Sequence, residues 1–342
     1  MVVSDSVRRL WSPLLLTAGL AAVLTSVIPG VASAQTAYIL NREASTGNGS
    51  VLLVDTTTNT VFATTAVGNF PLGVAVSPNG SRVYVSNYMS DTVTVLDGTG
   101  AVIATVPVGD GPHGIAINPN GTRVYTANNG GSVSVIDTAS NGVIATLPVG
   151  GSPMAVAVSA NGSRVFVTRL NADAVSFIET DTNTIISTVP VGDKPLGLAR
   201  SPDGRRLYVG NSEDNTVSVI DAPGEHVIAT IPVGSTPYGL TVTPDGARLY
   251  VGNRVGGTVS VINTATNTVV ATVPRMHSSV GVAVTPDGRR VYVVNQIENT
   301  VSVIDTATNT VSAVIPAAGL PTSLGDFIGP ATRPGTGGRR PR

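Results

Sequence analysis

From Tyr38 onward, apolar residues fall in short β-branched and aromatic runs broken by Gly, Pro, Asn and Asp, and the same order of runs keeps returning. The stretch 237–277 shows the unit in full. GLTVT is followed by Pro244, Asp245 and Gly246; RLYVGN comes next, then TVSVIN, then VVATVP after a TATNT turn. Proline presets φ for a turn and glycine accepts positive φ, so the breaks read as tight reversals between antiparallel strands. No run has the length or the 3.6-residue period of a helix. The pattern predicts four strands per unit, largely apolar on both faces. One such sheet cannot bury two apolar faces alone, whereas sheets stacked around an axis can.

Two markers count the units. Pro71, Pro112, Pro153, Pro195, Pro237, Ser279 and Pro321 open successive copies at spacings of 41, 41, 42, 42, 42 and 42 residues. Asn41, Asn87, Asn128, Arg169, Asn211, Asn253 and Asn295 each close a second strand, where the asparagines are expected to cap the turn that follows. A period in the low forties is a propeller-blade length. The sequence therefore predicts an all-β fold: a single seven-bladed β-propeller of four-stranded antiparallel blades over residues 35–330. The chain enters at Ala37–Asn41, a second strand with no first before it. The matching first strand is expected after Pro321, over Ser323–Ile328. Its pairing into the first blade would close the ring and remove an open sheet edge.

Leu249-Tyr250-Val251-Gly252-Asn253 and its counterparts, the SPDG and TPDG hairpins, the VSVID-TATNTV segment and the closing Gly325–Gly329 run carry a resemblance. They resemble the YVTN-family β-propeller repeat, also described as YncE-like, within the wider WD40/YVTN repeat-like group. The resemblance covers 38–330. It implies secreted or surface propellers with binding roles and no shared catalytic motif. The chain departs from it at Arg169, where Asn is expected, and at Arg275-Met276, where Val-Gly is usual. A true WD40 array needs Trp-Asp pairs in its blades, and the one Trp, Trp11, precedes the repeats.

Residues 1–34 read as a secretory signal peptide. Arg8 and Arg9 precede an apolar run from Leu14 to Ile28, and Ala32-Ser33-Ala34 is an A-x-A cleavage site. A cut after Ala34 would yield a secreted, extracytoplasmic chain with no membrane span. Residues 331–342, ATRPGTGGRRPR, cannot pack a core and are expected to form a disordered basic tail. The net charge is −1, and with the four arginines of that tail set aside the body is acidic. A nucleic-acid partner is therefore not expected, since one needs a basic footprint. Arg82, Arg123, Arg164, Arg206, Arg248 and Arg290 should ring one face, neutralised by Asp97, Asp137, Asp221 and Asp305. A monomer is expected.

Strand alternation places the PVGxxPxG connection and the loop after the Asn marker together on the top face, around the central pit. Propellers commonly bind ligands there, an argument by fold analogy. The column Leu72, His113, Met154, Leu196, Tyr238, Val280 and Thr322 varies as a shaped pocket floor would, with His113 and Tyr238 as polar handles. His113, Tyr238, Arg169 and His277 are thus the ligand-binding candidates. Gly109, Gly111 and Gly114 match G-x-G-x-x-G by spacing alone, without the helix a dinucleotide needs. With no Cys and three dispersed His, neither a zinc site nor another cofactor is expected. Glu43, Asp91, Asp173, Glu213, Asp214 and Glu298 read as a solvated acidic rim. Arg200 and Asp326 interrupt an otherwise apolar column of first strands and are expected to pair.

The leading function is a non-catalytic binding or interaction module that presents its top face to an unknown small molecule or cell-envelope macromolecule. The alternative is an enzyme, a lactonase-like hydrolase or isomerase using the central pit. It would need His113, Arg169 and one of Glu213 or Glu298 within hydrogen-bond reach of one another.

Overall fold

The computed structural model describes residues 35–43, 46–317 and 319–330; the expected leader (1–34) and basic tail (331–342) lie outside the described residues. The strands form seven four-stranded antiparallel sheets arranged as a ring: the chain is a seven-bladed β-propeller. Blades 2 to 7 take one unit each, over 71–107, 112–148, 153–190, 195–232, 237–274 and 279–316. Blade 1 combines both ends of the fold. Thr36–Arg42, Gly49–Asp55 and Thr60–Val67 pair in order, and Leu320–Thr322 adds the innermost strand against Thr36–Arg42.

The second and third strands of each blade bury both faces, which is why they read as unbroken apolar runs rather than alternating ones. On each second strand one aromatic, Tyr38, Tyr84, Tyr125, Phe166, Tyr208, Tyr250 or Tyr292, lies fully buried, and blade 4 adds Phe177 on its third strand. The outermost strands are the exposed edges. Each meets its neighbour through a register shift, at Val95/Leu96 in blade 2 and at the equivalent place in all the others. Such bulges twist an edge away from flat pairing, and each outermost strand of blades 2 to 7 also ends in proline.

The regular closing strand is Leu320–Thr322 rather than the expected Ser323–Ile328, which makes only isolated bridges at Leu324 and Ile328. Leu40, Asn41 and Arg42 face Thr322, Pro321 and Leu320, after which the ladder breaks. Ser323 inserts its hydroxyl to accept from Leu40 N–H (2.9 Å), so the backbone there no longer completes the ladder. Leu324 swings to blade 2, donating to Leu72 O and accepting from Val74 N–H (2.8 and 2.9 Å). Gly325, at φ +93°, turns the chain back, and Phe327 O accepts from Tyr38 N–H at 2.8 Å. One segment thereby ties blade 1 to blade 2.

Two repeated features have a different cause from the one expected. The basic ring is not neutralised by the aspartates on its own face. Arg123, Arg206 and Arg248 donate to Thr180 O, Thr264 O and Thr306 O of the following blade, at 3.0, 2.5 and 2.6 Å. Arg82 reaches Thr138 O likewise, and Arg290 closes the ring onto Thr56 O of blade 1. The aspartates serve their own turns: Asp97 accepts from Thr99, Asp137 from Ser140, Asp221 from Gly224 N–H and Asp305 from Thr308. Among the described residues only Arg164 of the ring forms an ion pair, with Glu225 at 3.0 Å.

The Asn column likewise does not cap turns. Asn253 Nδ2 donates to Thr258 Oγ1 and Ser260 Oγ, both at 2.9 Å, and Asn87, Asn128, Asn211 and Asn295 repeat the arrangement. Each is a buried clip between the second and third strands. The PVG glycine of the preceding connection lies flat on the clip: a Cβ at Gly234 would come within 2.6 Å of the Asn253 amide.

Candidate functional site

On the top face, the residue that follows each Asn marker is held by one repeated backbone bond. Tyr88 N–H donates to Phe70 O, Asn129 N–H to Gly111 O, Arg254 N–H to Thr236 O and Gln296 N–H to Ser278 O, at 2.8 to 3.1 Å. The acceptors Phe70, Gly111, Thr236 and Ser278 all have positive φ, between 56 and 62°. That turn brings the two connections of neighbouring blades together. In five of the seven blades the residue after the marker, Arg42, Tyr88, Asn129, Arg254 or Gln296, lines a central pit of about 330 Å³.

Several rim acids serve as parts of this scaffold. Asp91 Oδ1 accepts from Gly111 N–H (2.8 Å), Asp173 Oδ1 from Lys194 N–H (3.0 Å) and Asp214 Oδ2 from Asp193 N–H (2.8 Å). None of these carboxylates lines the pit.

Two layers of side chains do. The lower layer is the variable column from the mouths of the first strands, including His113, Met154 and Tyr238. His113 Nδ1 lies 3.2 Å from Met154 O, a carbonyl, so this nitrogen carries the proton and donates. Nε2 then accepts from the Tyr238 hydroxyl at 3.3 Å, across the channel from blade 6. Burial pushes the His113 pKa down to about 4, with the Met154 carbonyl opposing it, and the imidazole is neutral at physiological pH. Burial also pushes the Tyr238 phenol up. His113, Met154, Tyr238 and Leu324 face both the pit and a second cavity below it, so the His113–Tyr238 bond spans the waist of the channel.

The upper layer is cationic and aromatic. The Arg42 guanidinium lies 3.8 Å from the Phe70 ring centre and Arg254 lies 5.5 Å from that of Tyr238. Tyr88 packs against Phe70 (5.9 Å between ring centres) and meets His113 edge-on (6.5 Å). Burial, then the Arg254 charge, lowers the Arg42 pKa: two like charges are held near one another. Arg42 Nε is enclosed without a hydrogen-bond partner among the described residues. No Asp or Glu is among the residues that line the pit.

The structure thus brings His113 and Tyr238 together at the floor of the pit and leaves the other sequence candidates elsewhere. Arg169 packs on Gly151, with Nη1 3.5 Å from Ser176 Oγ, in the place of the Asn clip that its blade lacks. His277 lies on the rim, 3.7 Å from Glu298, and Glu213 is exposed. The convergence of His113, Arg169 and Glu213 or Glu298 that the enzyme alternative requires does not form at the pit. Among the described residues no three His, Asp or Glu side chains gather as a metal set.

Arg42, Phe70, Tyr88 and Arg254 were missed in the sequence, although one signal was present. The column after the Asn marker reads Arg42, Tyr88, Asn129, Leu170, Ser212, Arg254 and Gln296. It varies as freely as the His113 column and belongs to the same face.

No protein-family model matches the chain, and no curated protein matches it. Among solved structures, the chain is similar to Kuenenia stuttgartiensis hydrazine synthase, with a TM-score of 0.69 and 25% identity over 78% of this chain and 95% of that one. It is also similar to a functionally unknown protein from Desulfotomaculum acetoxidans, with a TM-score of 0.74 and 18% identity over 86% of this chain and 99% of that one. The second likeness speaks to fold alone, and both agree with the ring of blades described above.

Proposed function

We propose that this propeller is a binding module whose top-face pit takes a small anion carrying an aromatic or flat apolar group. The observation that carries this reading is the pair Arg42 and Arg254, set over Phe70 and Tyr238 with no carboxylate lining the same pit. Two cations held near one another without a counter-charge raise the energy of the empty pit. A bound carboxylate or phosphate offsets that repulsion and can take paired N–H donors from a guanidinium. Phe70, Tyr88 and Tyr238 supply flat apolar surface beside the charge. The cavity volume lies in the range of small-molecule sites, roughly 300–1,000 Å³.

The module is proposed to be of the YVTN type, on the strength of its repeat motifs, and to work outside the cytoplasm after removal of residues 1–34, on the strength of the leader pattern. N-terminal mass spectrometry of protein recovered from the secreting host tests the second point, with Gln35 as the expected first residue.

A thermal-shift comparison of benzoate, phenyl phosphate, benzyl alcohol and benzylamine tests the pit. Saturation at ~100 times the dissociation constant adds about 2.7 kcal/mol of stability. The two anions should raise the melting temperature and the amine should not. Equal shifts with the alcohol and amine, or no shift with any of the four, would remove the reading.

A further inference from the structure

Below the His113–Tyr238 bond lies a second cavity of about 380 Å³. Its wall is a ring of equivalent positions on the first strands. Val76, Ile117, Val158 and Val242 make it apolar, and Arg200 of blade 5 and Asp326 of the closing segment break it. The ion pair expected between these two residues does not form: no contact within 4.0 Å links them. Neither side chain has a hydrogen-bond partner among the described residues. Asp326 is enclosed by the channel walls yet faces the space inside them, and that enclosure raises its pKa while Arg200 acts in the opposite direction.

A charge placed in an apolar wall is costly unless something meets it. Here two opposite charges line one cavity without meeting in an ion pair. We propose that the lower channel is a second binding site, which takes a small dipolar molecule: an ammonium-type group towards Asp326, a carboxylate towards Arg200 and an apolar body against the valines. The site lies beyond the His113–Tyr238 waist, which it shares with the pit above. It draws on opposite charges and aliphatic wall where the pit draws on like charges and aromatic rings.

The test is calorimetric titration of the protein with γ-aminobutyrate, δ-aminovalerate and ε-aminocaproate, alongside hexanoate and hexylamine as single-ended controls. The amino acids serve as a ruler, and one length should bind best. Arg200→Val installs the residue that most other blades carry there, and Asp326→Asn keeps the shape of its side chain. Each should weaken that ligand about tenfold or more, by loss of one charged contact. Melting temperatures of both variants, measured in parallel, show that they remain folded. Phe62→Ala, exposed on an outer strand far from the channel, should leave the affinity unchanged. Failure of every amino acid to bind, equal binding of hexanoate, or an unaltered affinity in folded Arg200→Val would overturn the proposal.

Discussion

The buried imidazole at the channel waist makes the stability of this protein depend on pH in a way that a single substitution should remove. His113 has a pKa of about 4 in the folded chain against the ordinary 6.5. Below pH 6.5 the unfolded chain therefore binds a proton that the folded chain refuses, so stability falls as pH falls. The contribution is fully present above pH 6.5 and is lost progressively as pH approaches 4. At about 1.4 kcal/mol per pH unit, the whole effect comes to about 3 kcal/mol. His113→Leu supplies the side chain that blades 2 and 5 carry in the same column, at Leu72 and Leu196. It gives up both imidazole hydrogen bonds, to Met154 O and from Tyr238, at a cost of about 2 kcal/mol near neutrality. Urea unfolding from pH 7.5 to 4 should thus show the variant weaker by about 2 kcal/mol at the top of the range and stronger by about 1 kcal/mol at the bottom. The carboxylates titrate in both proteins and largely cancel in the difference. A difference that stays constant over this range would refute the reasoning.

Three further perturbations address the ring itself. Phe327→Ala removes a fully buried side chain from the closing segment and should cost about 3–5 kcal/mol, whereas Phe62→Ala, on an outer strand where Phe62 is 58% exposed, should be close to neutral by the same urea assay. Arg206→Ala breaks the donation to Thr264 O of the next blade and should cost about 1–2 kcal/mol; exposed Arg205→Ala, one residue earlier, should fall within ~0.5 kcal/mol of the parent. Gly234→Ala drives a Cβ into Asn253 and should cost about 1–3 kcal/mol. In the Asn253→Ala background the same change should cost clearly less, and strict additivity in that double-mutant cycle would contradict the clip.

Much of this architecture was legible in the sequence because each blade repeats the same local rules. The TPDG hairpins, the doubly apolar TVSVID runs and the split first blade all follow from turn chemistry and burial, and the repeat supplies seven readings of each. What was misread involves side-chain partners, in the next blade or on the adjacent strand, which spacing along the chain does not reveal. Arg206 looked like a surface charge facing Asp221, yet its partner is a carbonyl 58 positions further along. Asn253 looked like a turn former, and its partners are hydroxyls on the adjacent strand. The pit was half legible. His113 stood out as a polar residue in an apolar column, while Arg42 and Arg254 looked like ordinary loop charges. Only the ring closure brings blades 1 and 6, and with them both arginines, to the same pit.

The central claim is that Arg42 and Arg254 make the pit an anion site. Its most direct test is the calorimetric affinity for benzoate of the parent, Arg42→Gln, Arg254→Gln and the double variant, at low and at moderate salt. The account predicts a loss of about tenfold for each single change, a larger loss for both, and a salt dependence that shrinks as each charge is removed. Benzoate binding that survives the double variant undiminished, with the same salt dependence, would contradict it.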